Sequence, residues 1–231
     1  MSRRNKLFKF AQILSFPNVY ENYIADVPLL LGEIGVEVEL IGKWASQHFK
    51  NDHPLTLELA CGKGEYTVGL AQRFPERNFI GVDVKGARIW RGAKTALEAG
   101  VPNAAFLRTR IEQLALFFEK DEVSEIWITF PDPFLANTKA NRRLTSPPFL
   151  TEYQKVLKPG GLFHLKTDDE TLYQFTLEVL GKQKEYALLS HDDDIYAKPL
   201  PMEELEIKTF YEKQHLAEKK TIKYVRFRLE L

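Results

Sequence analysis

An acidic residue and a pair of glycines mark the end of the first buried strand that the sequence predicts. This segment reads Leu57-Glu58-Leu59-Ala60-Cys61-Gly62-Lys63-Gly64-Glu65. Glycines at 62 and 64 let a ligand approach the backbone closely where a strand meets a helix. The dinucleotide spacing G-x-G-x-x-G fails, because Thr67 stands three residues after Gly64. Glu58, on the strand before the turn, favours a ligand with an amino-acid end, such as S-adenosylmethionine.

The next predicted strand ends in a second carboxylate, Asp83. An acid at this place can accept hydrogen bonds from both hydroxyls of a ribose, or it can cap the helix that follows. The glycine turn upstream makes the ribose role the favoured interpretation. After the third strand the chain reads Arg108-Thr109-Arg110-Ile111-Glu112. Because arginines, and not an acid that could accept from the adenine amino group, directly follow this strand, we expect the adenine to be held by backbone groups near Arg110 and Ile111, or by stacking.

The fourth predicted strand ends in Pro131-Asp132-Pro133-Phe134. Two prolines fix the backbone on either side of Asp132 and hold its carboxylate at the carboxyl edge of the sheet, where ligands bind in open α/β folds. A purely structural turn would explain the prolines better than it explains the acid. The polar loop that follows carries Lys139, Arg142 and Arg143. Such a run is either a solvated surface or a contact for phosphates.

Composition limits the class of protein and of partner. A chain of 231 residues that is 44% hydrophobic can bury one core, so we expect a single domain. Its 32 basic and 32 acidic side chains cancel, so a nucleic-acid surface would have to come from local clusters. The lone Cys61 and scattered histidines predict neither disulfides nor a metal site. No run is long enough to cross a membrane. We expect a cytoplasmic, metal-free monomer or homodimer.

Short apolar runs alternate with helix-like stretches from Leu55 onward, which predicts a parallel sheet flanked by helices. The predicted strands are 56–60, 78–82, 104–107, 125–129, 162–166, 186–190 and 221–229, and the predicted helices are 65–74, 87–99, 111–118, 149–157 and 170–180. The expected fold class is α/β, with a Rossmann-like, doubly wound, mostly parallel seven-stranded sheet and a C-terminal antiparallel strand. Residues 55–231 would form the catalytic core, and residues 1–54 an N-terminal extension packed on it.

Several motifs in combination resemble one family. They are Pro131-Asp132-Pro133-Phe134, Lys139, Arg142-Arg143-Leu144, Pro148-Phe149-Leu150, Leu157-Lys158-Pro159-Gly160-Gly161, Lys166-Thr167-Asp168 and Thr209-Phe210-Tyr211-Glu212. Together they are similar to the bacterial tRNA (guanine-N7-)-methyltransferases, which are class I S-adenosylmethionine-dependent enzymes. The resemblance covers about three quarters of the chain and is more discriminating than any single motif.

The resemblance implies a function and a set of site residues. It implies methyl transfer from S-adenosylmethionine to N7 of guanine(46), in the variable loop of tRNA. Asp132 is carried over as the catalytic acid, and it also lies beside the cofactor. Asp168, Thr209, Tyr211 and Glu212 would line the guanosine pocket. Lys139, Arg142 and Arg143 would face RNA.

The sequence also departs from the family pattern. Phe134 replaces a tryptophan, Ala136 a basic residue and Arg110 an adenine-binding acid. Two alternatives therefore stay open. One is a methyltransferase that acts on an amino group of adenine or glutamine, whose [DNS]-P-P-[YFW] motif vaguely resembles the segment around Asp132. The other is a noncatalytic RNA-binding module that retains a degenerate nucleoside pocket.

Overall fold

The sheet has eight strands within residues 3–230, which are the residues that the computed structural model describes. The strands are β1 (Val19–Glu21), β2 (Leu55–Leu59), β3 (Asn78–Asp83), β4 (Ala104–Arg108), β5 (Val123–Thr129), β6 (Leu157–Thr167), β7 (Tyr186–Asp192) and β8 (Lys223–Leu229). They lie in the order β1-β4-β3-β2-β5-β6-β8-β7. Pairing is parallel except where β8 meets β6 and β7. The mostly parallel α/β fold with an antiparallel C-terminal strand is confirmed.

The count of seven strands was wrong, because the N-terminal segment contributes β1. This strand pairs in parallel with β4, and its three residues are buried. Phe106 N donates to Asn18 O at 2.8 Å, and Asn22 N donates to Arg108 O at 2.9 Å. A strand of three residues is too short to show an alternating pattern in the sequence.

The described helices lie on the two faces of the sheet. They are α1 (Arg3–Ile13), α2 (Glu65–Arg73), α3 (Gly86–Glu98), α4 (Pro147–Gln154), α5 (Glu170–Leu180) and α6 (Phe210–Ala217). The predicted helix at 111–118 is instead a 3₁₀ helix, Ile111–Leu116, and the predicted helix at 149–157 is shorter because β6 already begins at Leu157. Asn137–Arg142, expected as a loop, also forms a 3₁₀ helix.

The core has two layers because successive side chains of a strand point to opposite faces of the sheet. Ile80, Val82 and Leu107 belong to one layer, whereas Phe79 and Phe106 belong to the other. In the residues that the structure describes, no helix is long and apolar enough to span a membrane, and no group of His, Cys, Asp or Glu side chains is arranged to hold a metal ion.

Strands β2 to β6 all end on one side of the sheet, at Leu59, Asp83, Arg108, Thr129 and Thr167. We call this side the carboxyl edge. In open α/β sheets, ligands bind in the crevice outside the carboxyl ends of the strands. The fold therefore brings the predicted acidic residues and the glycine turn to the part of the sheet where such a site is expected.

Candidate active site

The glycine turn lies at the carboxyl end of β2, and its two glycines serve different purposes. Gly62 and Gly64 have φ angles of 58° and 67°, in the left-handed region. A Cβ atom on Gly64 would lie 2.4 Å from the ring of Phe106, so this glycine is required for packing. On Gly62, the nearest atom to such a Cβ would be Ala60 O at 3.9 Å. Open space for a ligand therefore lies over Gly62, and the close approach of a ligand at Gly64 stays a prediction.

Glu58 is buried beneath this turn, with both carboxylate oxygens occupied. One oxygen accepts the backbone N–H of Thr67 at 2.8 Å and its hydroxyl, and the other accepts the hydroxyl of Thr129 at 2.8 Å. Burial raises the pKa of Glu58 to about 7, because desolvation of the charge outweighs these three hydrogen bonds. Glu58 thus fastens the first turn of α2 to β5. Its predicted role at the amino-acid end of the cofactor stays a prediction.

Asp83 ends β3 and ties the two loops of the carboxyl edge together. One carboxylate oxygen accepts Gly62 N at 2.9 Å, and the other accepts Lys85 N at 2.8 Å. A carboxylate can accept about four hydrogen bonds, so Asp83 retains capacity for ribose hydroxyls. The geometry therefore leaves room for the ribose role, whereas Asp83 does not cap α3, because the N-cap residue is Lys85 and no side chain caps this helix.

A cavity of about 490 Å³ opens beside Asp83. Ile111, Leu144 and Phe149 supply apolar walls, and Glu112 adds a carboxylate. This volume and lining suit an adenosine group, with the ribose at Asp83 and the base on the apolar side. Ile111 lines this cavity, and its contact with adenine stays a prediction. Arg110 instead lines a smaller neighbouring cavity of about 190 Å³.

Glu112 was not among the residues that the sequence predicted to contact the cofactor. The family acid is replaced by Arg110, but Glu112 follows two residues later, in the first turn of the 3₁₀ helix. An acidic residue this close to the expected position could have been identified from the sequence as a candidate for binding the adenine. Its carboxylate lines the larger cavity and offers a hydrogen-bond acceptor there, which the side chain of Arg110 does not.

The Pro-Asp-Pro turn presents Asp132 to solvent at the end of β5. One oxygen of Asp132 accepts Phe134 N at 3.1 Å. Phe130 and Phe134 flank the turn with φ angles of 48° and 43°, which non-glycine residues rarely adopt. Strain of this kind concentrates at functional sites. The turn is therefore held in an unfavourable backbone conformation that keeps the Asp132 carboxylate accessible.

Arg143 helps to hold the Pro-Asp-Pro turn in this conformation. Its side chain is only 3% exposed, donates to Pro133 O and Phe134 O at 3.0 Å each, and packs on the ring of Phe175. The prediction that Arg143 faces RNA is therefore corrected. The guanidinium is used to satisfy the carbonyls of the strained turn, a task that a buried, multidentate donor can perform.

Lys139 and Arg142 behave differently from Arg143. Both are exposed on the 3₁₀ helix Asn137–Arg142. The Arg142 guanidinium lies 4.6 Å from the ring centroid of Phe134, and the residue lines the cavity beside Asp83. Their predicted contact with RNA remains compatible with these positions.

A second, small cavity lies between the glycine turn and the first turn of α6. Gly62, Thr129, Phe130, Thr209 and Tyr211 are among its lining residues. Thr209 caps α6 by accepting Glu212 N at 3.2 Å, and the Tyr211 ring is exposed. Ala60 lines this cavity as well as the larger one.

Glu212 does not line this cavity as predicted. Its carboxylate is fully buried, lies 2.8 Å from Lys166 Nζ and accepts the Tyr196 hydroxyl at 2.6 Å. Lys166 also donates to the carbonyls of Leu205 and Ile207. The role of Glu212 is thus to anchor α6 on β6, which corrects the expectation of direct contact with guanosine.

Asp168 lies just beyond β6 and is partly exposed. Its carboxylate lies 3.2 Å from Lys220 Nζ and 3.3 Å from His215 Nδ1. The His215 ring stacks on Phe130, which lines the small cavity. Asp168 is therefore linked to the small cavity through His215 and Phe130.

Sequence comparisons with known proteins show the family to which the chain belongs. A family model described as "Putative methyltransferase" matches residues 52–225. The tRNA (guanine-N(7)-)-methyltransferase of Christiangramia forsetii is 47% identical over 230 residues, which is 100% of both chains. The protein of the same name from Porphyromonas gingivalis is 49% identical, over 93% of this chain and 86% of its own. The chain belongs to the tRNA (guanine-N7-)-methyltransferase family. Membership of this family confirms the resemblance found in the motifs.

Solved structures agree with this tRNA (guanine-N7-)-methyltransferase family member in fold. The 16S rRNA methyltransferase KamB has a TM-score of 0.61 at 16% identity, covering 84% of this chain and 96% of its own. A 30S ribosomal A1408 methyltransferase from an uncultured bacterium has a TM-score of 0.58 at 14% identity, with the same coverages. At these identities the likeness shows the class I methyltransferase fold alone.

Proposed function

We propose that this protein transfers the methyl group of S-adenosylmethionine to N7 of a guanine in tRNA. The observation that carries the proposal is the junction of the two cavities at Ala60. The larger cavity suits the adenosine end of the cofactor, and the smaller one opens between the glycine turn and Tyr211. A cofactor with its adenosine in the larger cavity and its amino-acid end over Gly62 in the smaller one would place its methyl group at the carboxyl edge, where a base stacked on the exposed ring of Tyr211 could meet it.

Four parts of the chain would hold the cofactor. Asp83 would accept from the ribose hydroxyls, and Ile111 and Glu112 would contact the adenine. Gly62 would leave room for the amino-acid end, with Glu58 fixing the turn from below. S-adenosylmethionine supplies an electrophilic methyl group on a sulfonium centre. The protein has to place that group and exclude water.

The acceptor needs alignment more than a base. Guanine N7 carries a lone pair and no proton, so its attack requires no proton transfer to the protein. The positive charge would move to the ring as the N7–methyl bond forms and the methyl–sulfur bond breaks, with neutral S-adenosylhomocysteine as the leaving group. Carboxylates at Asp132 and Asp168 would stabilise that charge or accept from guanine N1 and its amino group. The exposed ring of Tyr211 offers a surface on which the base can stack.

Finer features are proposed on the resemblance. They are guanine(46) as the target, RNA contacts through Lys139 and Arg142, a cytoplasmic location, and a monomeric or homodimeric state. Mapping the methylated nucleotide in tRNA by cleavage at 7-methylguanosine tests the first of these. Sedimentation of the purified protein tests the last.

The deciding experiment is transfer of labelled methyl from S-adenosylmethionine to unmodified tRNA, followed by separation of the nucleosides. We expect label in 7-methylguanosine. Asp132→Ala should lower kcat by about 10²-fold, the loss typical of one electrostatic contact in a transition state. It should leave cofactor affinity within about twofold, since Asp132 is expected to act mainly on the base.

Asp52→Ala is a matched control, because Asp52 is an exposed acid outside both cavities. Label on adenine or on protein would favour an amino-group methyltransferase. Binding of tRNA without any transfer would favour a noncatalytic module. Unchanged turnover in Asp132→Ala would remove that residue from the mechanism.

A further inference from the structure

Helices α1 and α3 carry an unusual concentration of positive charge for a chain whose net charge is zero. We call Lys9, Lys85, Arg88, Arg91 and Lys94 the α1–α3 face. The segment RRNKLFKFAQI of α1 contains no acidic residue. α3 contains one, Glu98, which lies 3.5 Å from Lys94. The negative charges that neutralise the chain as a whole are therefore located elsewhere.

The ring of Trp90 contacts three of these five cations. Lys9 Nζ lies 4.3 Å from the Trp90 ring centroid, Lys94 Nζ lies 5.3 Å and the Arg91 guanidinium lies 6.0 Å from it. The indole N–H donates to Gln12 Oε1 at 2.9 Å, which joins the two helices. Like charges this close repel one another, and contact with the ring offsets only part of that repulsion. An external polyanion would relieve the rest.

Arg88 connects the face to the candidate active site. It lines the small cavity together with Lys63 and Tyr211. Among residues 3–230 no acidic side chain is paired with Arg88, Arg91 or Lys9 in an ion pair. A helix rises 1.5 Å per residue, so Arg88 and Lys94 are separated by about 9 Å along α3. That length spans more than one phosphate of an RNA strand.

We propose that the α1–α3 face binds backbone phosphates of the tRNA away from the nucleotide that is methylated. This inference rests on the proposed function and adds a second contact surface to it. A single nucleotide would need one or two cations to bind its phosphate. A row of cations that extends away from the reaction centre matches the several phosphates of a folded polyanion. Recognition of tRNA by shape requires contacts of this kind, since phosphates carry no sequence information.

The test compares Lys9→Ala and Arg91→Ala with Lys184→Ala, a control that removes an exposed lysine near the start of β7, on the opposite edge of the sheet. Binding of unmodified tRNA is measured between 50 and 200 mM salt, and methyl transfer in the same preparations. Each face variant should raise KM for tRNA by roughly threefold to tenfold. Each should also reduce the slope of log K against log salt by about 0.7–0.9, the value for one lost phosphate contact. Both kcat and the Kd for S-adenosylmethionine should stay unchanged.

Slopes and KM values equal to those of Lys184→Ala in both variants would overturn the proposal. So would a loss of binding to vesicles of anionic lipid with tRNA binding intact, because the face would then serve a membrane. Failure of the proposed function has a different signature, since the wild-type protein would then transfer no methyl to tRNA. In that case, the slope of log K for tRNA binding against log salt would still show whether the α1–α3 face contacts phosphates.

Discussion

Glu58 is a buried acid whose pKa reflects a balance between two effects. Three hydrogen bonds to its oxygens favour the charged form, and removal from water disfavours it. Burial is the larger effect and raises the pKa to about 7 from an ordinary value of 4.5. The folded protein therefore holds this proton more tightly than the unfolded chain does. The resulting stabilisation is complete below pH 4.5 and is lost as the pH rises through 7.

Replacement of Glu58 by glutamine should remove this dependence. Because one pKa unit corresponds to about 1.4 kcal/mol, the variant should gain up to roughly 3 kcal/mol relative to the wild type between pH 5 and pH 8. Urea unfolding of both proteins at the two pH values measures this, with Glu98→Gln as an exposed control. An equal difference between the two proteins at both pH values would show that Glu58 is ionised throughout.

Arg142 and Arg143 are neighbours in sequence with opposite expected effects. Arg143→Met should lower the free energy of unfolding by about 2–4 kcal/mol, because the carbonyls of the strained turn lose a buried, charged donor. Arg142→Met should change stability by less than about 0.5 kcal/mol and raise KM for tRNA. Denaturant unfolding and initial-rate kinetics separate the two. Equal stability losses would mean that the exposed guanidinium is also structural.

The glycine turn offers a similar contrast at the scale of a structural element. Gly64→Ala forces a Cβ atom into the Phe106 ring and should destabilise the protein by about 2 kcal/mol or more. Gly62→Ala meets open space, so it should cost only about 1–2 kcal/mol of backbone strain and mainly weaken cofactor binding. Calorimetric titration of S-adenosylmethionine into each variant tests this. A Gly62→Ala protein with full cofactor affinity would place the amino-acid end elsewhere.

Elements with strong patterns were predictable from the sequence, and short ones were not. The predicted helix at 170–180 agrees with α5, because Asp169 caps it by accepting Leu172 N at 2.7 Å. Strands β2 to β5 agree to within one or two residues, because both of their faces are buried and they read as apolar runs. β6 begins five residues before the predicted 162–166. β1 and the 3₁₀ helix Ile111–Leu116 depend on tertiary contacts that local patterns do not record.

The site residues show the same contrast between features that local sequence patterns record and features that depend on tertiary contacts. Asp83, Ile111 and Asp132 lie at the carboxyl edge, because motif spacing directly after a strand fixes which end of the sheet a residue reaches. Thr209 and Tyr211 reach the small cavity from the start of α6, and only the resemblance to the family predicted them. Whether a charged side chain in such a motif turns outward or inward depends on partners distant in sequence. Glu212 pairs with Lys166, 46 residues away, so its burial was not visible in the motif.

At the scale of the whole molecule, the Lys166–Glu212 pair fixes α6 to the sheet. Both side chains are fully buried. Lys166→Met would leave the carboxylate of Glu212 buried without its cation, which typically costs 3–5 kcal/mol. We expect that loss in denaturant unfolding, with partial recovery in Lys166→Met/Glu212→Gln. A double variant no more stable than the single one would assign the loss to the Leu205 and Ile207 carbonyls.

β1 has a consequence for the behaviour of the protein in solution. The strand covers the free side of β4, and its own outer side is met by Leu31, which exchanges two backbone hydrogen bonds with Glu21. Uncovered strand edges are templates for pairing between molecules. Proteolytic removal of the chain through Glu21 would bare the edge of β4, so a clipped preparation should form aggregates joined strand to strand. Intact protein under the same conditions is shielded from that association.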